Sequence, residues 1–197
     1  MRFKILSTEI YISFIFMIVL TLLLAIDKTG FLVPVFFSVT MHEFAHLFVM
    51  WLLNCEPKQI RLIPGSIQII RKFTYKRNGE ILISLSGPLM NLVLFSVFLI
   101  NHYSFGSKIS LDCAAINLIL AVFNLLPVRG LDGGTILYYI LLKLKNGSRA
   151  NSVINLLTVV IALITIIFGI ILLTKGRMNY SLIILGIYFL LSLSFKI

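Results

Sequence analysis

Charged residues are scarce in this sequence, and acidic residues are the scarcest of them. Only 12% of the 197 residues are charged, and Asp and Glu number seven against 17 Lys and Arg. A water-soluble domain usually carries about 25% charged residues, so this composition excludes an ordinary soluble globular protein. The hydrophobic content of 59% and the mean hydropathy of +1.06 predict a membrane protein.

Cysteine is nearly absent as well, since the chain has only Cys55 and Cys113. The two residues fall on opposite predicted sides of the membrane, so we expect reduced thiols and no disulfide between them. The sequence also lacks internal repeats, low-complexity tracts and linkers that would separate domains. We therefore expect a single transmembrane domain over residues 1–197, with no soluble regulatory domain.

Apolar runs long enough to cross about 30 Å of hydrocarbon occur along the whole chain. They cover residues 10–26, 31–53, 81–100, 110–128, 153–174 and 179–195. The first run follows basic residues as a signal peptide would, but no small-x-small cleavage pattern follows it, so we interpret it as a membrane anchor. The predicted fold class is an all-α polytopic membrane protein with about six transmembrane helices.

The net charge of +10 would suggest nucleic acid as a partner of a soluble protein. Here the basic residues flank apolar runs, where the anionic headgroups of the lipid bilayer are the better partner, and we expect no nucleic acid. Basic residues in short loops stay on the cytoplasmic side of a membrane. Most Lys and Arg face the cytoplasm when both termini are placed there, which predicts cytoplasmic termini.

The segment 58–80, between the second and third runs, differs from its neighbours. Polar residues interrupt its isoleucines, and the Pro-Gly-Ser sequence at 64–66 supplies a turn. This pattern predicts a small membrane-associated β-hairpin. An amphipathic surface loop is the alternative that the pattern leaves open.

The third run carries Gly87, Pro88 and Asn91 in its interior. A proline removes a helical hydrogen bond, and an asparagine surrounded by lipid needs a hydrogen-bonding partner. Kinked and partly polar helices usually line a cavity. We therefore regard these three residues as candidates for contact with a substrate.

The second run contains His42-Glu43-Phe44-Ala45-His46, an H-E-x-x-H sequence. On a helix the two histidines lie on one face, one turn apart, so both imidazoles can bind one zinc ion. Glu43 can reach a water molecule beside the metal and act as a general base. The chain has three histidines, and chance would produce only about 0.0009 such motifs.

The position of this motif inside an apolar run strengthens its interpretation as a metal site. Each ionisable group there costs ~2.5–3.5 kcal/mol to insert, and a bound dication would compensate for three of them. The alternative is a buried polar cluster that only holds helices together. Such a cluster requires neither the spacing of the histidines nor the carboxylate between them.

A catalytic zinc ion takes a third protein ligand and keeps one open position. The other possible ligands lie at distant ends of the runs or too close to the motif, which leaves Asp132 as the best candidate. The glycines that flank it, Gly130, Gly133 and Gly134, allow an irregular path close to other helices. The spacing equally allows Asp132 to cap a short helix predicted over 135–144.

Taken together, these motifs resemble those of the site-2 protease family of intramembrane zinc metalloproteases. The matching residues are H-E-F-A-H at 42–46, Ser86-Gly87-Pro88-x-x-Asn91, and Asn124-x-x-Pro127-x-x-x-Leu131-Asp132-Gly133. The motif order and the six runs look most like the bacterial sporulation branch, typified by stage IV sporulation protein FB. The resemblance covers about residues 31–145, the three-helix catalytic core.

The resemblance implies one Zn²⁺ held by His42, His46 and Asp132, with Glu43 as the catalytic residue. It makes Asn124 a candidate for holding the substrate carbonyl or oxyanion. The implied function is an intramembrane zinc metalloendopeptidase of the bacterial cytoplasmic membrane, which cuts a peptide bond in or near a transmembrane segment of a membrane-associated protein. A pro-form of a sporulation transcription factor, of the pro-sigma-K type, is a candidate substrate, and membrane inhibitors or regulatory proteins are candidate partners.

The chain departs from the family pattern in two places. Many relatives carry a second proline where this chain has Arg129 and Gly130, which leaves the path of this loop open. Sporulation-type relatives often end in a soluble nucleotide-sensing domain, and we do not expect regulation by that route here. A catalytically silent membrane scaffold and a metal transporter are the alternative functions; a transporter would carry polar residues on several runs at matching depth.

Overall fold

The computed structural model describes residues 2–5, 8–55, 57–63, 66–71, 77–144, 146–175 and 180–194. Within them the strands are β1 (Arg2–Ile5), β2 (Thr8–Ile12), β3 (Pro57–Ile63) and β4 (Ser66–Arg71). The helices are α1 (Phe14–Ile26), α2 (Leu32–Leu52), α3 (Arg77–Phe105), α4 (Lys108–Asn124), α5 (Asp132–Leu144), α6 (Gly147–Thr174) and α7 (Ser181–Ser192). The chain forms two compact units, which we call the first unit (Met1–Val122) and the second unit (Phe123–Ile197).

A four-stranded sheet in the order β1-β2-β3-β4 belongs to the first unit. β3 and β4 pair antiparallel, which confirms the predicted hairpin, although the described strands end at Arg71 and residues 77–80 belong to α3. The predicted Pro64-Gly65 turn lies outside the described residues. β2 pairs parallel with β3 and antiparallel with β1. Assigning residues 10–12 to the first apolar run was therefore wrong, because an apolar stretch can complete a sheet as well as a helix.

Three of the described helices are long and apolar enough to cross a membrane: α2 with 21 residues, α3 with 29 and α6 with 28. At 1.5 Å per residue each reaches about 30 Å or more. α1, α4 and α7 have 13, 17 and 12 residues, which is short of that length. The structure agrees with a mostly helical membrane protein, whereas the count of six spans is not confirmed.

The start of α2 is set by the side chain of Asp27. Its carboxylate oxygens accept hydrogen bonds from the Leu32 N–H at 2.8 Å and from the Thr29 N–H at 3.0 Å. An Asp in this position satisfies N–H groups that have no partner inside the helix. The bond from the Leu32 N–H, followed by that from the Thr29 hydroxyl, lowers the pKa of Asp27 to about 2.

α2 and α3 pack mainly through polar and small residues, together with Met50 and Ile83, while most of their large apolar residues are exposed. The buried residues of α2 lie along one face of the helix: Ser38, His42, Ala45, His46 and Met50. Those of α3 are Gly79, Glu80, Ile83, Ser84, Gly87, Pro88 and Asn91. Large side chains such as Phe44, Phe48 and Trp51 are exposed on α2. A polar interior with an apolar exterior suits helices that are surrounded by lipid.

The second unit is organised around the packing of α6 and α7. Its core contains Val128, Leu131, Ala162 and Phe189. Gly186 brings the two helices together, since a Cβ there would lie 2.9 Å from the Ala162 carbonyl oxygen. The fourth run was predicted to reach residue 128, but α4 ends at Asn124 and a turn follows, because Pro127 cannot continue the helix.

Candidate metal centre

The two histidines of the H-E-x-x-H motif converge on one point beside α2. Their Nε2 atoms lie 3.2 Å apart, and the rings meet at 86°. Both side chains are buried, with 6% of His42 and 7% of His46 exposed. The i, i+4 spacing on a helix places the rings one above the other, as the sequence predicts.

The opposite ring nitrogens are held by α3. His46 Nδ1 lies 2.7 Å from the Ile83 carbonyl oxygen, and His42 Nδ1 lies 2.7 Å from Asn91 Oδ1. A carbonyl oxygen can only accept a hydrogen bond, so Nδ1 carries the proton in both rings. Each Nε2 then presents a lone pair toward the other. Two lone pairs this close are stabilised by a cation, and a fixed Nδ1–H is the usual support of a metal-binding histidine.

Gly87 of α3 faces this pair of nitrogens. A Cβ at this position would lie 2.5 Å from Nε2 of both His42 and His46. Any other residue would therefore fill the space in front of the imidazoles. Gly87 therefore lies directly beside the histidines, and its contact with a substrate stays a prediction.

Pro88 follows as a fully buried residue inside α3. It has no N–H, so it cannot donate the helical hydrogen bond that the Ser84 carbonyl would otherwise receive. A proline ring also pushes against that turn of the helix. The Ser84 carbonyl is adjacent in sequence to the Ile83 carbonyl, which lies 2.7 Å from His46 Nδ1.

Asn91 lies behind His42. It is fully buried, and its Nδ2 donates to Asn117 Oδ1 at 3.2 Å while its Oδ1 faces His42. Both polar atoms are directed at protein partners, and the contact of Asn91 with a substrate stays a prediction. Sequence reasoning missed Asn117, although an asparagine inside the apolar run 110–128 already needs a partner.

Glu43 is half-buried on α2, between the two histidines in sequence. The next position on a helix is turned by about one hundred degrees, so Glu43 projects beside the imidazole pair and away from the packed face. A carboxylate in this place can hold a proton close to the site. Its position is compatible with the predicted general base.

Asp132 and Asn124 belong to the second unit and flank one turn. Asn124 is the last residue of α4, Asp132 is the first of α5, and both are half-buried. Between them the Val128 N–H donates to the Leu126 carbonyl at 2.7 Å, and Gly130 adopts φ +89°. The turn packs on the start of α5, where a Cβ on Gly133 would collide with the Leu125 carbonyl. The backbone that follows Asp132 is therefore packed tightly against this turn.

Arg129 joins the same turn to α6. Its N–H donates to Thr158 Oγ1 at 2.9 Å, and its Nη1 donates to Asn155 Oδ1 at 2.8 Å and to Asn151 Oδ1 at 3.3 Å. These bonds attach Arg129, one of the two residues at which the chain departs from the family pattern, to α6. The sequence feature that could have predicted these bonds is the pair Asn151 and Asn155, four residues apart near the start of the fifth apolar run.

The donors that the sequence singles out fit zinc. His42, His46 and Asp132 offer two imidazole nitrogens and one carboxylate oxygen. Zinc accepts these donors in catalytic sites and keeps its remaining position for water or substrate. The room beside Nε2 that Gly87 leaves agrees with such an ion.

Comparisons with known proteins agree on one family. The model of Peptidase family M50 matches residues 107–168, which include Asp132. A zinc metalloprotease from Methanocaldococcus jannaschii is 29% identical over 191 residues, which are 91% of this chain and 54% of that protein. The solved structure of a site-2 protease from Methanocaldococcus jannaschii superposes with a TM-score of 0.73 at 26% identity, over 98% of this chain and 93% of that one. The resemblance to the site-2 protease family is confirmed.

The resemblance to the site-2 protease family also agrees with the predicted enzyme class and with zinc as the cofactor, since the curated relative is named a zinc metalloprotease. This chain spans about half the length of that curated relative. The narrower resemblance to the sporulation branch is not supported by the names of these relatives.

Proposed function

We propose that this chain is an intramembrane zinc metalloendopeptidase, which hydrolyses a peptide bond in or near a transmembrane segment of a membrane-associated protein. One observation carries the proposal: His42 Nε2 and His46 Nε2 converge at 3.2 Å on the polar face of an otherwise apolar helix. The Nδ1–H of each ring is engaged on the opposite side. Residues that only hold helices together would not need two lone pairs directed at one point.

His42, His46 and Asp132 would hold one Zn²⁺. The proposal is supported by the orientation of both imidazoles, by the space that Gly87 leaves, and by the donor types, which suit zinc. A zinc ion bound there supplies a Lewis acid that polarises a carbonyl and lowers the pKa of water.

Glu43 is the proposed catalytic residue. Its carboxylate accepts the proton from the attacking water and returns it to the amine of the leaving peptide. Asn124 is the proposed partner of the substrate carbonyl, a role that rests on the family resemblance. His42 and His46 keep their Nδ1 protons throughout, because Asn91 and the Ile83 carbonyl hold them.

The substrate must be locally unwound to be cut, because a helix hides its carbonyls in hydrogen bonds. An extended segment can recover bonds by pairing with the edge of a sheet, and β1 and β4 lie at the edges of the sheet that the described residues form. We therefore propose that cleavage favours membrane segments with helix-weakening residues. A pro-form of the pro-sigma-K type is a narrower candidate, which only the motif order supports.

The proposed setting is a multi-pass protein of the bacterial cytoplasmic membrane, with about six spans and both termini in the cytoplasm. The three long apolar helices and the distribution of Lys and Arg support this topology. Residues 31–145 are proposed as the catalytic core of one transmembrane protease domain. Membrane inhibitors and regulators remain proposed partners by analogy with the family.

The test is co-expression with tagged candidate membrane substrates. Glu43→Gln should keep about one zinc ion per chain and lower cleavage by roughly 10²–10⁴-fold, because the proton acceptor is lost while the ligands stay. The matched control is Glu9→Gln, the same substitution at an exposed position of β2, which should cleave like the wild type. Full turnover in Glu43→Gln would rule out the proposed mechanism.

A catalytically silent scaffold would also be consistent with the buried polar contacts between α2, α3 and α4. A measurement of zinc content distinguishes the protease from such a scaffold. The wild type should retain zinc through purification, and His46→Ala and Asp132→Asn should lose it. His102→Ala should not, since His102 bonds the Ser107 carbonyl far along α3. A wild-type protein free of zinc and unable to bind it would favour the scaffold.

A further inference from the structure

A chain of buried hydrogen bonds runs behind His42 through three helices of the first unit. Asn117 of α4 donates from Nδ2 to Ser38 Oγ of α2 at 2.9 Å, and its Oδ1 accepts from Asn91 Nδ2 of α3 at 3.2 Å. Asn91 Oδ1 then meets His42 Nδ1 at 2.7 Å. Ser38 is 1% exposed, and Asn91 and Asn117 are 0% exposed, so the chain is shielded from solvent.

The direction of every bond in this chain follows from two main-chain carbonyls. Ser38 Oγ–H donates to the Pro34 carbonyl at 2.8 Å, so its oxygen is left to accept from Asn117. The Cys113 carbonyl lies 2.9 Å from the same nitrogen of Asn117. Carbonyl oxygens only accept, so the atom of Asn117 that faces both partners must be its NH₂ group.

The rest of the chain is then determined. Asn117 must direct its Oδ1 at Asn91, so the atom of Asn91 that faces it must be the donor Nδ2. Asn91 therefore presents Oδ1 to His42, and His42 must carry its proton on Nδ1. Nε2 is left with the lone pair that a metal needs.

We infer that Asn117, held by Ser38 and the Cys113 carbonyl, is a positioning residue that selects the metal-binding tautomer of His42. The inference rests on the proposed function and extends it to a residue that does not touch the site. His46 does not need such a device, because its Nδ1 donates directly to the Ile83 carbonyl. His42 depends on a side-chain amide, which can be reversed, and Asn117 prevents the reversal.

Replacement of Asn117 should therefore lower the affinity for zinc and not only weaken the packing of the helices. Without its Oδ1, the Asn91 amide can rotate and offer NH₂ to His42 Nδ1, which favours the Nε2–H tautomer. That tautomer cannot bind a metal through Nε2. Outer-shell partners of this kind typically contribute about 10–100-fold to metal affinity, and we expect a loss in this range.

The experiment compares Asn117→Leu, a substitution of similar volume, with Ser110→Ala. Ser110 also joins α4 to α3, through a 2.7 Å bond from its Oγ to Asn101 Oδ1, but it belongs to a different network from that of His42. Zinc dissociation constants are measured in detergent by chelator competition. Nitrogen-15 NMR of the histidine rings in the metal-free protein reports which ring nitrogen carries the proton.

Asn117→Leu should bind zinc about 10–100-fold more weakly and show Nε2–H signal for one histidine, whereas Ser110→Ala should match the wild type in both measurements. Equal losses in the two variants, or an unchanged tautomer in Asn117→Leu, would overturn the inference. If Asn117→Leu does not purify as a folded protein, Ser38→Ala carries the test, since it keeps the bond to the Cys113 carbonyl and should show a smaller shift in the same direction. Failure of the wild type to bind zinc would instead contradict the proposed function.

Discussion

Single residues decide how much room the candidate metal centre has. Gly87 is the clearest case, because its missing side chain leaves the space in front of His42 Nε2 and His46 Nε2. Most substitutions inside a buried helix lower the stability of the fold, so a loss of function in such a variant is hard to interpret. A glycine-to-alanine substitution instead favours the helix by up to about 1 kcal/mol.

Gly87→Ala should therefore leave the helix intact and still remove zinc. The added Cβ would lie 2.5 Å from both Nε2 atoms, so the imidazoles must move apart. We expect at least a tenfold loss of zinc affinity with unchanged helical circular dichroism. Gly147→Ala is the control, because the atom nearest to its added Cβ would lie at 3.6 Å, an ordinary van der Waals distance. The zinc affinity of this variant should stay at the wild-type value. Wild-type zinc binding by Gly87→Ala would contradict the assigned role of Gly87.

At the scale of elements, the turn between α4 and α5 depends on its attachment to α6. The Arg129 N–H reaches Thr158 Oγ1, which is fully buried, and the Arg129 side chain reaches Asn155. An N–H left without its acceptor in a buried place costs about 1–3 kcal/mol. The turn carries Asp132 at its end, so a loosened turn also disturbs the proposed third ligand.

Thr158→Val should lower both the thermal stability of the protein and its affinity for zinc, because it removes the acceptor while it keeps the shape of the side chain. Thr165→Val is the matched control on the same helix, since the Thr165 hydroxyl bonds only its own helix at the Ala162 carbonyl among the bonds described. Thermal unfolding and chelator competition measure the two effects. Equal behaviour of the two variants would show that the contact with Arg129 does not hold the turn.

At the scale of the whole molecule, the orientation in the membrane follows from α3 and from the basic residues around it. Lys58 precedes α3 and Lys108 follows it, and both are exposed. A helix of 29 residues that crosses the bilayer must place them on opposite sides. The distribution of Lys and Arg predicts that Lys58 lies in the cytoplasm.

A membrane-impermeant thiol reagent applied to intact cells should label Lys108→Cys and spare Lys58→Cys. Cys55 and Cys113 are buried, so they should contribute little background. Permeabilised cells provide the control, in which both variants should be labelled. Labelling of Lys58→Cys alone would reverse the proposed topology, and labelling of both in intact cells would show that α3 does not span.

The features that follow from local geometry could be predicted from the amino-acid sequence. The i, i+4 spacing on a helix places His42 and His46 on one face, and apolar runs of sufficient length predict a membrane protein, because both depend only on neighbours along the chain. Only the tertiary structure decided what surrounds the histidines. His42 and Asn91 are 49 positions apart and Asn117 and Ser38 are 79, and no local pattern encodes such contacts. β1 and β2 could not be predicted for the same reason. An apolar stretch forms a strand only when a neighbouring strand such as β3 pairs with its backbone N–H and C=O groups.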